Sequence, residues 1–275
     1  MQKIVIIGAD SYIATGLDKH LTDCYVEKLY FHNWQQNAEL LQEADCVINF
    51  SISPDFSIRD MTPDEVLDVQ IAQCLKNAAT RYVFISSRKV YGASDDLVIH
   101  KETDDLYGVD FYARNKIMTE KTLADILGDK LIILRVANII GEPVNRSGYK
   151  TFIGWICESF LKNGKLVVTQ NADAVKDFIT KDFLQKSIAS LIQKHATGIY
   201  NVSSRFGTSV RDVLVGYVGA QNIDFQGQTL SPQDQFILNN EKLLKITNVS
   251  ISSLQVEQYL ALCRQELQQM KDKLL

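Results

Sequence analysis

The chain has no surplus of positive charge: among 275 residues, 29 lysines and arginines stand against 33 aspartates and glutamates. A protein that neutralises a nucleic-acid backbone needs clustered cations, and no long cationic run occurs, so nucleic acid is not an expected partner. Cysteine is scarce and never spaced C-x-x-C. Cys24, Cys46, Cys74, Cys157 and Cys263 read as free thiols of a reducing compartment, not as a disulfide framework. His20, His32, His100 and His195 are equally scattered, without ligand spacing, so no metal site is expected. No apolar run approaches the ~20 residues of a membrane span, and the first strand begins without the apolar core of a signal peptide. No membrane association is expected, and the chain reads as soluble and cytoplasmic. There are no repeats, low-complexity tracts or Gly/Ser linkers, and the length suits one large α/β domain or one domain with a smaller lobe.

What is present is alternation. Short apolar runs (IVII near 4, KLYF near 28, CVINF near 46, YVFIS near 82, LIILR near 131) are separated by amphipathic stretches around 12–22, 35–43, 63–79 and 110–127. Strands alternating with helix-period segments predict a parallel, doubly wound sheet of Rossmann type. After about 140 the pattern loosens, and a helix at 181–193 and a strand at 198–202 return to the sheet. The expected division is a dinucleotide-binding domain over 1–140 plus about 177–202, with a smaller C-terminal substrate-binding lobe from about 141–176 and 203–275. A helix is predicted at roughly 254–273, whose Leu254, Val256, Leu260, Cys263, Leu267 and Met270 form one apolar stripe that packs on the body.

The stretch IVIIGADSYIATGL, residues 4 to 17, is a strand entering a turn. In a phosphate-binding turn the first glycine makes the tight bend, the second lets the backbone approach the pyrophosphate, and the third allows close helix packing. Here those positions are Gly8, Ser11 and Ala14. Asp10 or Ser11 is placed to cap a helix whose free amides, with those of Tyr12 and Ile13, face a phosphate. The acidic residue that would bind the adenosine ribose belongs about 20 residues further on. That region offers only His32 and Asn33, so NAD and NADP are not distinguished.

Tyr112 and Lys116 are four apart and share a helix face. An adjacent ammonium stabilises a phenolate, lowering a tyrosine from its ordinary value near 10. Ser87 ends the preceding strand, placed to hydrogen-bond a substrate carbonyl or hydroxyl. About one Y-x-x-x-K match is expected by chance in this composition, so its surroundings carry the argument.

Those surroundings resemble the extended short-chain dehydrogenase/reductase family of nucleotide-sugar epimerases, dehydratases and reductases, over nearly the whole chain. FISSRKVYG (84–92) resembles the family's serine strand, and Tyr112 and Lys116 fall at its Y-x-x-x-K. LRVANIIGE (134–142) is similar to its R-x-x-N-x-x-G segment, VKDFIT (175–180) to its R-D-F-I-H stretch, and GIYNVSSRFGTSVRDVL (198–214) to its I-Y-N-V segment. The resemblance implies catalysis by Ser87, Tyr112 and Lys116. It places NAD or NADP against Gly8, Ser11, Tyr12, Ile13, His32, Asn33, Tyr112 and Lys116. It places a nucleotide-sugar substrate against Ser87, Arg88, Asn138 and Lys176, the last replacing a phosphate-binding arginine. It also implies a homodimer packed through helices near 64–79 and 110–127.

Three departures stand out: Ser11 in the glycine loop, Asp68 where an asparagine is common, and Arg88-Lys89 where dehydratases carry an Asp-Glu pair. The last disfavours dehydration. The leading expectation is an NAD(P)-dependent oxidoreductase that reduces a 4-keto nucleotide sugar. The alternatives are a nucleotide-sugar 4-epimerase and a non-catalytic protein that senses a dinucleotide or serves as a scaffold.

Overall fold

In a computed structural model, residues 1–143, 152–169, 172–226 and 234–274 are described. The chain begins β1 (Gln2–Ile7), β2 (Cys24–Leu29), α1 (Ala38–Gln42), β3 (Cys46–Asn49), α2 (Leu67–Leu75), β4 (Arg81–Ser87), β5 (Val98–His100), α3 (Phe111–Leu127) and β6 (Leu131–Val136). It continues through β7 (Asn138–Ile140), α4 (Phe152–Asn163), β8 (Leu166–Val168), β9 (Val175–Thr180), α5 (Lys181–Gln193) and β10 (Gly198–Val202). It ends with β11 (Gly207–Ser209), α6 (Val210–Val218), β12 (Ile223–Phe225), β13 (Phe236–Leu238), α7 (Glu241–Thr247) and α8 (Ser253–Asp272).

Six strands form one wholly parallel sheet in the order β10-β6-β4-β3-β1-β2. Both faces are covered, which is why β3 and β6 are buried at every residue and read as apolar runs interrupted only by Asn49 and Arg135. One core lies under Leu17, Leu184, Ile188 and Ile192, the other under Leu75, Leu123 and Leu127. The order differs from the doubly wound 3-2-1-4-5-6 in one respect: the connection after β2 passes directly to β3 on the far side of β1, so only β2 lies outside β1. The short interval between β2 and CVINF leaves room for the five-residue α1 and not for another strand.

The expected helix over 12–22 does not form. The chain turns from Gly8 and makes a 3-10 segment at Leu17–His20. Gly16 takes a left-handed φ of 93°, which a continuing α-helix forbids. Ser11 and Thr15 spend their hydroxyls on local backbone groups: Ser11 Oγ accepts from Ala14 N, and Thr15 donates to Ser11 O. The stretches at 35–43 and 63–79 shrink to α1 and α2, each entered through a 3-10 turn. α3, α5 and α8 match their predicted spans within two residues, because each has a side-chain N-cap: Asp110, Thr180 and Ser252.

Beyond β6 lies a second sheet, β11-β9-β13-β5 with β7 on β9, whose pairings join segments far apart in sequence. Its own core gathers Phe160, Phe178, Tyr217, Leu260 and Leu267. No helix among the described residues is long and apolar enough to cross a membrane.

Candidate active site

A cleft of about 1600 Å³ opens at the carboxyl ends of β1, β4 and β6. Tyr12, Ile13, Ser87, Arg88, Tyr112, Asn138 and Lys176 all line it. In an open α/β sheet, ligands bind outside the carboxyl ends of the strands near the switch in strand order. Here that switch falls between β1 and β3, beside Gly8.

Ser87 is the last residue of β4 and accepts from Lys89 N at 3.2 Å. Asp110 caps α3 by accepting from Ala113 N at 2.7 Å, which sets Tyr112 in the first turn facing Ser87. Burial pushes the Tyr112 phenol up to about 12, and the hydrogen bond it shares with Ser87 pulls the other way. The Tyr112 ring meets Phe56 edge-on at 5.8 Å. Asn115 holds that segment in place, accepting from Met61 N and donating to the carbonyls of Phe56 and Arg59.

Lys116 stands behind the tyrosine and does not line the cleft. Its Nζ donates to Ile85 O at 2.7 Å and lies 4.5 Å from the Phe84 ring centroid, 5.0 Å from Phe56 and 5.6 Å from Tyr112. Burial lowers its pKa, against the carboxylates of Asp68 and Glu120. Asp68 is itself buried and accepts from Tyr82 Oη at 2.7 Å and Asn49 Nδ2 at 3.0 Å. Glu120 pairs with Arg135 at 2.8 Å, both side chains 4% exposed, and accepts from Ser86, the neighbour of Ser87.

The glycine loop is an altered one. Gly8, at φ 72°, lies so close to Ser51 that a Cβ would come within 2.4 Å of its hydroxyl. Gly8 N and Ala9 N both donate to Leu29 O, and Ser11 N donates to Gly8 O. Among the described residues the amides of Tyr12 and Ile13 donate to nothing. Tyr12 also ties the loop to the far wall: its hydroxyl donates to Glu142 at 2.9 Å, Glu142 pairs with Lys181 at 3.0 Å, and Lys181 lies 4.6 Å from the Tyr12 ring centroid. His32 and Asn33 are not brought to the cleft. His32 is exposed and stacks on Tyr30, while Asn33 Oδ1 accepts from Tyr30 N in the turn after β2.

Next to Ser87 in the chain, Arg88 donates through both terminal nitrogens to Asp234, each at 2.5 Å, and Lys176 donates to the same carboxylate at 3.1 Å. Lys89 pairs with Asp110 at the rim at 2.7 Å. Asn138 opens β7, half-buried in the wall. Asp234, Phe56 and Glu120 have roles here that no local sequence pattern announces; each reaches the site through a long-range contact.

The profile of the NAD dependent epimerase/dehydratase family matches residues 2–203. The chain belongs to this family. Within the epimerase/dehydratase family it is 26% identical to the UDP-glucose 4-epimerase of Azospirillum brasilense over 164 residues, 52% of this chain and 47% of that protein. The match thus spans about half of that curated relative. Two solved structures share the fold over most of their length. A UDP-N-acetylglucosamine 4-epimerase from Methanobrevibacter ruminantium, in complex with UDP-N-acetylmuramic acid, superposes with a TM-score of 0.80 at 15% identity, covering 98% of this chain and 99% of that one. RMD from Pseudomonas aeruginosa, complexed with NADPH, gives 0.74 at 16% identity, covering 98% and 100%.

Proposed function

We propose that the chain is a nicotinamide-dependent oxidoreductase of a nucleotide-diphosphate sugar, and that it reduces a 4-keto sugar. The observation that carries this reading is the Ser87–Tyr112 pair at the foot of the cleft, with the phenol held protonated by burial. A protonated tyrosine is ready to donate, which is what reduction of a carbonyl asks of it first. Ser87 holds the carbonyl oxygen, Tyr112 gives it a proton, and the nearby Lys116 ammonium stabilises the phenolate that remains. The carboxylate pair that elimination needs is absent after Ser87, where Arg88 and Lys89 stand.

The residues present fit a nicotinamide dinucleotide at two of its parts. The unpaired amides of Tyr12 and Ile13 suit its phosphates, and Ser87 and Tyr112, with Lys116 behind them, suit the nicotinamide end. Bound there, it supplies or accepts the hydride. The turn after β2 favours neither NAD nor NADP.

A second reading, 4-epimerisation, is favoured by the curated relative, which is a UDP-glucose 4-epimerase. It uses the same residues, Tyr112 acting first as base and then as acid. Denaturing the purified protein and weighing any released nucleotide separates the two: tightly retained NAD supports the epimerase, whereas reversible binding of one reduced cofactor supports the reductase. Tyr112→Phe tests both against a non-catalytic role. Turnover of the nucleotide sugar should fall by about 10²–10⁴ with the fold intact; full turnover in this variant would remove both enzymatic readings. A homodimer packed through α2 and α3, which lie side by side, belongs to the same proposal, and light scattering giving the 31.1 kDa monomer mass would exclude it.

A further inference from the structure

We infer that Arg88 and Lys176 form a receptor for a carboxylate on the substrate's sugar, and that Asp234 holds this receptor as the chain's own stand-in until the sugar binds. The inference rests on the nucleotide-sugar reading and names the class of sugar.

The receptor is built as a carboxylate site. The Arg88 fork meets both oxygens of Asp234, one terminal nitrogen to each. That is the bidentate geometry in which guanidinium recognises a carboxylate. Its guanidinium carbon lies 4.3 Å from the Phe236 ring centroid, and Arg88 is only 9% exposed, so the cation is stacked and largely removed from water. Lys176, which the family resemblance alone would set against a substrate phosphate, adds a second cation to the same carboxylate. Phe236 and Lys176 are register partners of β13 and β9, so the floor and the second cation come from one rigid pairing.

Placement assigns the ligand to the sugar. Arg88 directly follows Ser87, the residue placed against the reacting oxygen, and it lines the same cleft. With the reacting oxygen held at Ser87, a carboxylate on the sugar can reach this guanidinium. Around Asp234 itself two cations, Arg88 and Lys176, face one carboxylate.

Asp234 is suited to give way. Its backbone sits at a left-handed φ of 47°, which is costly for a residue with a Cβ. The chain beside it is anchored without its carboxylate. Gln235 N donates to Ser94 O at 2.8 Å, Gln235 Nε2 donates to Asp95 O at 2.7 Å, and Gln235 Oε1 accepts from Val175 N at 3.1 Å. The Asp234–Lys176 pair is therefore not the sole tie of this segment to β9, since Gln235 holds it independently.

The test is calorimetric titration of the full chain with matched glucose and glucuronate forms of UDP, dTDP and GDP. For the nucleotide that binds, the glucuronate form should bind about tenfold tighter or more, as expected for a charge-assisted bidentate contact. Arg88→Met should bring the ratio of the two affinities to near one, and Asp234→Asn, which removes the competing charge, should raise it several-fold. Should Arg88→Met prove unfolded by circular dichroism, the Asp234→Asn ratio decides alone. A ratio near one in the unaltered protein overturns the inference and leaves the nucleotide-sugar reading standing. An equal loss for both sugar forms in Arg88→Met also overturns it, assigning Arg88 to the diphosphate instead. Binding of none of the six overturns the nucleotide-sugar reading and this inference with it.

Discussion

Lys116 Nζ donates to the carbonyl of Ile85 at 2.7 Å, which fastens α3 to β4 two residues before Ser87. Replacing the lysine by methionine leaves that carbonyl without its donor and removes the positive charge beside Tyr112. Lys116→Met should lose about 1–3 kcal/mol of stability in urea unfolding, together with most turnover. Lys116→Arg should not restore either, because the rings of Phe56, Phe84 and Tyr112 enclose a compact ammonium at 4.5–5.6 Å and leave no room for a planar guanidinium. Full rescue by arginine would show that the enclosure is looser than these distances imply.

The Tyr112 phenol, pushed up to about 12 by burial, fixes the direction of pH dependence. Below that value it is protonated, so proton donation to a keto sugar should be nearly independent of pH across the neutral range and fall only at the alkaline end. Used as a base, in oxidation of the sugar hydroxyl, the same group should work about tenfold better per pH unit until about 12. Measuring kcat in both directions from acid to alkaline pH checks this, and an alkaline fall of reduction near neutrality would contradict it.

Asp177 should make the fold less stable as pH rises. Burial pushes its carboxyl up to about 6, against hydrogen bonds from Ser204 and Leu238. Its unfolded value is about 3.9, so the folded chain holds the proton more tightly. The stabilisation is fully present below about 3.9 and is lost as pH rises through about 6, by about 3 kcal/mol. Urea unfolding of the unaltered protein and of Asp177→Asn at a series of pH values isolates the contribution: the difference between them should change over this window and be constant above it.

Gly8→Ala should be destabilising whatever the cofactor. The φ of 72° costs an alanine roughly 1–2 kcal/mol, and the added methyl meets Ser51 Oγ at 2.4 Å and Ser51 N at 2.8 Å. The melting temperature should fall with and without added NAD or NADP. An unchanged melting temperature would mean that the turn relaxes to another conformation.

The parallel sheet was legible because its strands obey a local rule. A strand covered on both faces is apolar over most of its length, and a run such as LIIL announces that in four residues. The capped helices α3, α5 and α8 were legible for a similar reason, since a cap and a period lie within one stretch of chain. The helix expected over 12–22 was not, because Gly16 and the hydroxyls of Ser11 and Thr15 reward a turn more than a helix, and the apolar period alone does not weigh that competition.

The candidate site divides in the same way. Ser87, Tyr112, Arg88, Asn138 and Lys176 were named from sequence and meet at one cleft, because the sheet carries the ends of its strands to one edge. His32 and Asn33 were named by spacing and stand in the turn after β2, outside the lining of this cleft. Residue types and their order along the chain determined the sheet and the capped helices and singled out Ser87, Tyr112 and Lys116 as candidates. Only the tertiary structure decided that Lys116 is enclosed by three rings, that Tyr12 reaches Glu142, and that Asp234 occupies the Arg88 fork 146 residues away. Those contacts join segments distant in the chain, and their geometry is set by how sheets and helices pack, which no local spacing encodes.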